Sequence, residues 1–277
     1  MKFVIHRFET CTSTNDVARE MARAGAPEGT VVVAAEQTAG RGTKGRAWHS
    51  ARGRGLYVSV ILRPRAASIA LLPLAAGLAA RDAVEATHGL AARLRWPNDV
   101  VLDGRKLGGI LGESAFSGNV PDYAILGTGL NLDHAEGDFP AELRPSAISI
   151  LMATGRPADR EALLAGLLER TARRAAQAES GTTGAAALVA DFESRSAFRP
   201  GDPIVVLAGG ETLRGAYRGL DADGALLVAV GEAPDSPDSR SAGAAGLKQP
   251  RSEGGAGSRE PAGCIRRFAA AEIARVL

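Results

Sequence analysis

The feature that most restricts how this chain can fold is a pair of apolar runs, TVVVAAEQ (Thr30 to Gln37) and GLYVSVILRP (Gly55 to Pro64), separated by a polar loop rich in glycine and arginine. Short runs dominated by β-branched and aromatic residues are strands, and a proline stops the second one by removing a ladder donor. The second run alternates, as a half-buried strand does. Ahead of them, Thr12, Ser13 or Thr14 can cap a helix in which Val17, Ala18, Met21 and Ala22 recur at helical spacing until Gly25. Behind them, the alanine-rich stretch Ser68 to Thr87 has helical periodicity and should cover the sheet. Asp103-Gly104 between two apolar runs is a hairpin signal, and DYAILGTGLNL adds a strand that ends at Asn131. Residues 158–178 and 183–196 read as helices, so the first 195 or so residues form a layered structure of sheet and helices.

Beyond Phe198 the texture changes to short strands, DPIVVLAG, LRGAYRGL, GALLVAV and IRRF, separated by glycine and aspartate turns, which predicts a small β-barrel or sandwich. Within it, residues 231–263 carry glycine, serine, proline, alanine and charge with almost no large apolar side chain. Such a segment buries too little surface to offset its ordering entropy, and it is expected to be a disordered insertion. The division is therefore 1–197 and 198–277, with one main core and a small appendage, as 277 residues suggest. No internal repeat is apparent.

Charge and cysteine content exclude several classes. Lysine plus arginine is 33 against 31 acidic residues and aromatics are 4%, so there is no polybasic, aromatic-interleaved footprint of a nucleic-acid binder. Cys11 and Cys264 form neither a zinc spacing nor a disulfide framework. No run approaches eighteen apolar residues and MKFVIHRFET is not a signal peptide, so a soluble, cytoplasmic protein is expected. His6, His49, His88 and His134 lack metal-ligand spacing and are expected to be surface or structural. Cys11 has no histidine partner in view and is expected to fill a small buried space.

Three segments carry chemistry. EQTAGRGTKGRAW (Glu36 to Trp48) sets glycines among Arg41, Lys44 and Arg46 directly after a strand, and backbone N–H groups with cations of this kind suit an anion. It lacks the Gly-Lys-Ser/Thr ending of a Walker loop and is not a dinucleotide fingerprint. In LRWPNDVVLDGRKLGGILGE, Arg95, Asn98 and Asp99 lie across the hairpin from Lys106, beside Gly108-Gly109, where a ligand can approach the backbone. GTGLNL (Gly127 to Leu132) closes a strand with spaced glycines and one amide. Taken singly, each segment also fits a solvated hairpin or a tight turn.

Together with CTSTND (Cys11 to Asp16), these segments resemble the biotin-protein ligases, whose pattern runs Ser-Thr-Asn, GRGRxGRxW, KWPND, KxxGIL and Gly-x-Gly-x-Asn in this order. The resemblance is tight from Phe8 to Leu132 and loose over the C-terminal module. It implies an α+β fold, a mixed sheet with flanking helices like the catalytic domain of class II synthetases, followed by an SH3-like β-barrel. It implies formation of biotinyl-5'-AMP from biotin and ATP with Mg²⁺, then transfer of biotin to a lysine of a biotin carboxyl carrier domain. Ser13, Thr14, Asn15, Gln37, Gly40, Arg41, Gly42, Thr43, Lys106 and Gly109 would hold biotin. Arg41, Arg46, Trp48, Asn98, Lys106 and Asn131 would hold ATP, with Trp48 and Asn131 at the adenine. Arg41 and Lys106 would bring two anions together, while Asp99 would orient Mg²⁺ or serve as base toward the acceptor lysine.

Arg95 replaces the usual lysine before Trp-Pro-Asn-Asp, and Thr43 replaces the second arginine of the loop. The latter change weakens retention of the adenylate if that arginine holds it, unless Lys44 substitutes. Some members of the family also repress transcription through an N-terminal helix-turn-helix domain. The first motif here begins within fifteen residues of Met1, so a short form without DNA binding, acting as a monomer or weak homodimer and free of membranes, is expected. The competing readings are a lipoate-protein ligase or octanoyltransferase, of similar fold, and more distantly a nucleic-acid-binding regulator.

Overall fold

The computed structural model describes residues 1–230, 264–269 and 272–274; the insertion expected at 231–263 lies outside the described residues. Two compact units result, one of Met1–Ala197 with Ala222–Gly224, the other of Phe198–Asp221 with Ala225–Leu277.

The first unit is built on a seven-stranded mixed sheet. Its strands in chain order are β1 (Val4–Phe8), β2 (Thr30–Ala34), β3 (Gly55–Leu62), β4 (Arg93–Arg95), β5 (Asp99–Leu102), β6 (Arg105–Ser117) and β7 (Val120–Asn131). They lie in the order β1-β2-β3-β7-β6-β5-β4. Only β1 and β2 pair in parallel, because the helix α1 (Thr14–Arg23) connects them; the other pairs are antiparallel. Ser13 is the N-cap of α1 but makes no side-chain capping bond, and Gly25, at φ 88°, turns the chain out of it. The hairpin at Asp103-Gly104 has both residues at positive φ, 49° and 73°, which is the geometry that favours Asp-Gly between antiparallel strands.

Contrary to the half-buried alternation read for β3, all eight of its residues are buried. The sheet is covered on both faces. Leu56, Val58, Val60 and Leu62 alternate with Tyr57, Ser59 and Ile61. The latter set faces α1, where Ile61 joins Ala18, Ala22, Val32, Tyr123 and Ile125 in one cluster. The helix α2 (Leu72–His88) packs on β6 and β7 and against α4 (Arg160–Glu179) and α5 (Gly181–Ser194). A short α3 (Ile150–Thr154) precedes them. With the 3₁₀ turn before it, α2 is long and apolar enough to cross a membrane by length and composition. Its most apolar window is 67% buried within the protein, as befits a core helix.

The second unit is a five-stranded antiparallel sheet in the order β11-β10-β9-β8-β12, formed by β8 (Pro203–Ala208), β9 (Glu211–Leu220), β10 (Leu226–Val230), β11 (Cys264–Phe268) and β12 (Glu272–Ala274). Where a closed SH3-like barrel was expected, the described pairings run from β11 to β12 as the two end strands.

Candidate active site

Strand alternation places Gly127 and Gly129 of β7 and Gly109 of β6 on the same face as α1, and this leaves the sheet bare of side chains there. Other groups lie on that floor. A Cβ at Gly127 would collide with the Asn15 amide, and one at Gly129 would come within 2.7 Å of Trp48 Cε2. At Gly109 it would meet Lys106 Cε at 3.2 Å and the Trp48 ring at 3.5 Å. Asn15, Trp48 and Lys106 are thereby drawn to one surface.

At the α1 end of the floor lies a set of uncharged groups, with the charged side chains of Asp16, Arg19, Arg41 and Glu113 beside Asn15. Residues 11 and 12 run beside 36 to 39, with Thr38 N donating to Cys11 O at 2.9 Å and Ala39 N to Thr12 O at 2.8 Å. This brings Gln37 to the start of α1, where its Oε1 accepts from Thr14 N at 2.8 Å and its Nε2 donates to Ser50 Oγ at 2.8 Å. Ser59 Oγ of β3 lies 2.8 Å from Thr14 Oγ1 and 2.6 Å from Asn15 Oδ1. Ser13, Thr14 and Asn15 are buried, as is Ser59. Cys11, expected in a buried space, is only half-buried; burial and then the Asp16 carboxylate push its thiol pKa up, which keeps it a poor nucleophile.

The loop that follows folds back on itself. Trp48 N donates to Gly40 O at 2.8 Å and Gly42 N to Arg46 O at 2.7 Å. Gly40 is required by close approach, since a Cβ would sit 2.6 Å from Ser50 Oγ and 2.7 Å from Trp48 O. The Arg46 guanidinium reaches back to Thr43, at 3.4 Å from its carbonyl and 3.3 Å from Oγ1. Trp48 is half-buried, and its Nε1 is buried without a hydrogen-bond partner.

The cations expected to meet anions are held by carboxylates. Arg41 Nη2 donates to Asp16 Oδ1 at 2.7 Å and to both oxygens of Glu113, at 3.0 and 3.1 Å. Arg19 joins the same two carboxylates. Lys106 Nζ lies 2.5 Å from Asp99 Oδ1 and 5.4 Å from the centroid of Trp48. Asp99 is thus the carboxylate paired with Lys106. Among the described residues no group of three histidine, cysteine or acidic side chains could hold a metal.

Asn131 holds the backbone beside Lys106. Its Nδ2 donates to Lys106 O at 3.3 Å and to Ile148 O at 3.1 Å, and Lys106 N donates to Ser146 O at 2.7 Å. The amide nitrogen therefore fixes the lysine backbone, which leaves a contact with the adenine amino group to Oδ1. Asn98 Nδ2 donates to Ile110 O at 2.6 Å and so clamps β6. Ser59, Ser50, Asp16, Arg19 and Glu113 were missed by sequence reasoning. The period-two pattern of β3 and β6 puts Ser59 and Glu113 on the α1 face and was the one signal that could have found them.

Beside the loop, His49, His134 and Phe139 form a cluster, with His134 stacked on Phe139 at 4.6 Å and 5.8 Å from His49. His134 is 0% exposed and neither ring nitrogen has a hydrogen-bond partner. Burial, with His49 alongside, pulls its pKa down to about 4.

Residues 7–131 match the family described as "Biotin/lipoate A/B protein ligase family". The chain is 39% identical over 165 residues to the "Bifunctional ligase/repressor BirA" of Bacillus spizizenii, covering 58% of this chain and 50% of that protein, so it spans half the length of that relative. It is 38% identical over 204 residues to the "Biotin--[acetyl-CoA-carboxylase] ligase" of Paracoccus denitrificans, covering 71% of this chain and 82% of that one. Among solved structures, "Biotin protein ligase from Aquifex aeolicus in complex with biotin and ATP" aligns with a TM-score of 0.73 at 25% identity, over 98% of this chain and 97% of that chain. With the Paracoccus protein covered over most of its length, the chain belongs to the biotin/lipoate A/B protein ligase family.

Proposed function

We propose that this chain is an ATP-dependent biotin-protein ligase, which joins biotin to AMP and then passes it to a lysine of a biotin carboxyl carrier domain. The observation that carries this is the polarity of the glycine floor. At one end Thr14, Asn15, Gln37 and Ser59 offer uncharged hydrogen-bonding groups; at the other, Trp48 and Lys106 offer an aromatic face and a cation. Biotin has that distribution, with a neutral urea ring at one end and a carboxylate at the other, which is the end to be joined to phosphate.

In the first half-reaction the biotin carboxylate attacks the α-phosphate of ATP and pyrophosphate leaves. Both reactants are anionic, so Lys106, exchanging Asp99 for the ligand, lowers their repulsion and fixes the approach. Arg41 sits between Asp16 and Glu113 and supplies positive charge next to Asn15. The Gly40 to Thr43 backbone completes the biotin seat, Trp48 packs on the base, and Arg46 lies on the ATP side of the loop. Mg²⁺ would arrive with the triphosphate, whose oxygens it prefers; Asp99, released when Lys106 turns to the ligand, would be the carboxylate to orient it, and no step depends on it. In the second half-reaction the acceptor lysine attacks the acyl carbon and AMP departs. The reading places the chain in the cytoplasm as a monomer or weak homodimer, acting without DNA.

ATP–pyrophosphate exchange with biotin and lipoate side by side tests this. Exchange is expected with biotin alone, and it should be lost in folded Lys106→Ala; exchange with lipoate but not biotin overturns the reading.

A further inference from the structure

An in-line displacement fixes the direction in which its leaving group departs. As a biotin carboxylate oxygen bonds to the α-phosphorus, the bridging oxygen keeps the electron pair of the bond that breaks and leaves with pyrophosphate on the opposite side. The sheet supplies a matching axis in its strand order β3-β7-β6-β5-β4. Ser59 of β3 and the Asn15 amide over Gly127 of β7 make the uncharged end, and Lys106 of β6 is the cation where the two anions meet. Biotin that attacks from the uncharged end therefore sends pyrophosphate toward β5 and β4.

Strand register shows what lies there. Gly129 pairs with Gly109, Gly109 with Asp99 and Asp99 with Arg95, so these four residues share the face that forms the floor. In the row beside them Lys106 pairs with Val101, and Val101 with Arg93. The ion pair of Lys106 with Asp99 at 2.5 Å places both rows on one face. Arg93 and Arg95 thus extend the floor to β4, two strand spacings or about 10 Å beyond β6. A diphosphate and an arginine side chain together cover that span.

These two arginines differ from the other cations of the site. Arg19, Arg41 and Lys106 are each held by carboxylates, whereas among the described residues neither Arg93 nor Arg95 has an acidic partner. Arg95 Nη2 donates to Gly104 O at 3.1 Å and Arg93 Nη1 to Ser194 O at 3.4 Å. Carbonyls orient the side chains without neutralising them, and most of the five N–H groups on each guanidinium are left over. Arg93 is exposed and Arg95 half-buried, so a product held there can leave to solvent.

We infer that Arg95, with Arg93 beside it, is the seat of the β- and γ-phosphates of ATP and of the pyrophosphate that departs. The forked guanidinium suits phosphate oxygens, and its charge offsets the one that gathers on the leaving group. The inference rests on the proposed ligase activity and adds to it the place where the first product is held.

ATP–pyrophosphate exchange by the full chain, with AMP as a competing ligand, tests this. In Arg95→Ala, the KM values for pyrophosphate and for ATP should each rise at least about tenfold. Inhibition by AMP, which lacks the β- and γ-phosphates, and the Kd for biotin should change less than about twofold. Arg93→Ala should give the same pattern at about threefold, and Arg95→Lys, which keeps the charge, should recover part of the loss. Arg95→Gln keeps a donor for Gly104 and takes the place of Arg95→Ala if that variant does not fold. An equal loss for AMP and pyrophosphate overturns the proposal, since it marks an effect of general charge or of the fold. An unchanged KM for pyrophosphate also overturns it, and a rise confined to the KM for the carrier domain would assign the β4 edge to the acceptor instead. In each of these cases biotin-dependent exchange by the wild type leaves the ligase reading standing; a wild type without exchange overturns both.

Discussion

Gly129 is a residue at which the site has little latitude. An added Cβ would lie 2.7 Å from Cε2 and Nε1 of Trp48, and β7 is a central strand that cannot yield. Gly129→Ala should therefore lift the indole from the floor and take away the ring over which Lys106 lies, at least about tenfold in kcat/KM for ATP, with biotin affinity kept. Pyrophosphate exchange at varied ATP, read beside tryptophan emission, checks this; unchanged kinetics with an unchanged spectrum would show that the ring has room to slide. His134 gives a second prediction at this scale. Its pKa is about 4 when folded and near 6.5 in an unfolded chain, so between these values the unfolded state binds more protons and stability rises with pH. The contribution is complete above pH 6.5 and lost as pH falls toward 4, about 3 kcal/mol in all. His134→Phe, which keeps the stack on Phe139, should remove that slope. Parallel melting curves from pH 7 to pH 4 would sink the assignment. The cluster was not legible in the sequence, because His49, His134 and Phe139 become neighbours only through the fold.

Elements were legible where period and punctuation agreed. Asp103-Gly104 marked the turn between β5 and β6, and Gly25 marked the end of α1, since both rest on local backbone preference. The covering of β3 on both faces was not legible, because it depends on α1 and α2 packing from opposite sides. Nor did helical periodicity show what joins α2, α4 and α5. Arg174, buried in α4, pairs with Asp82 of α2 at 2.8 Å and with Asp191 of α5, and Arg195 reaches both acids. Burial raises the carboxyl pKa of Asp82, but hydrogen bonds from Arg174 and Arg81 outweigh it and the net shift is downward. Arg174→Met fills the space yet leaves Asp82 and Asp191 short of a counter-ion, and should cost about 3 kcal/mol. Chemical denaturation at pH 7 measures it. Asp82→Leu combined with Arg174→Met should recover part of the loss, and the absence of any recovery would show that packing rather than charge is at stake.

At the scale of the molecule, the ordered motifs located the site because a ligand constrains residue types at fixed places, whereas Ser59 and Glu113 carry no motif and emerge only from strand register. Every helix among the described residues lies between Thr14 and Ser194, inside the unit that also holds Gln37, Lys106 and Asn131, while the other unit is a β-sheet. The helical signal in circular dichroism therefore reports on the unit that carries the candidate site. A ligand that binds only the folded state stabilises it by RT ln(1 + [L]/Kd), about 2.7 kcal/mol at a hundredfold excess over Kd. For a unit of this size that is a rise of roughly 5–10 °C in the midpoint. Biotin at that excess should shift the 222 nm transition by this amount, and lipoate at the same concentration should not, because the polar groups of Thr14, Asn15, Gln37 and Ser59 suit a urea ring and not a dithiolane. A 222 nm midpoint that ignores biotin, or follows lipoate equally, would mean that the uncharged end of the floor is not where the ring is held.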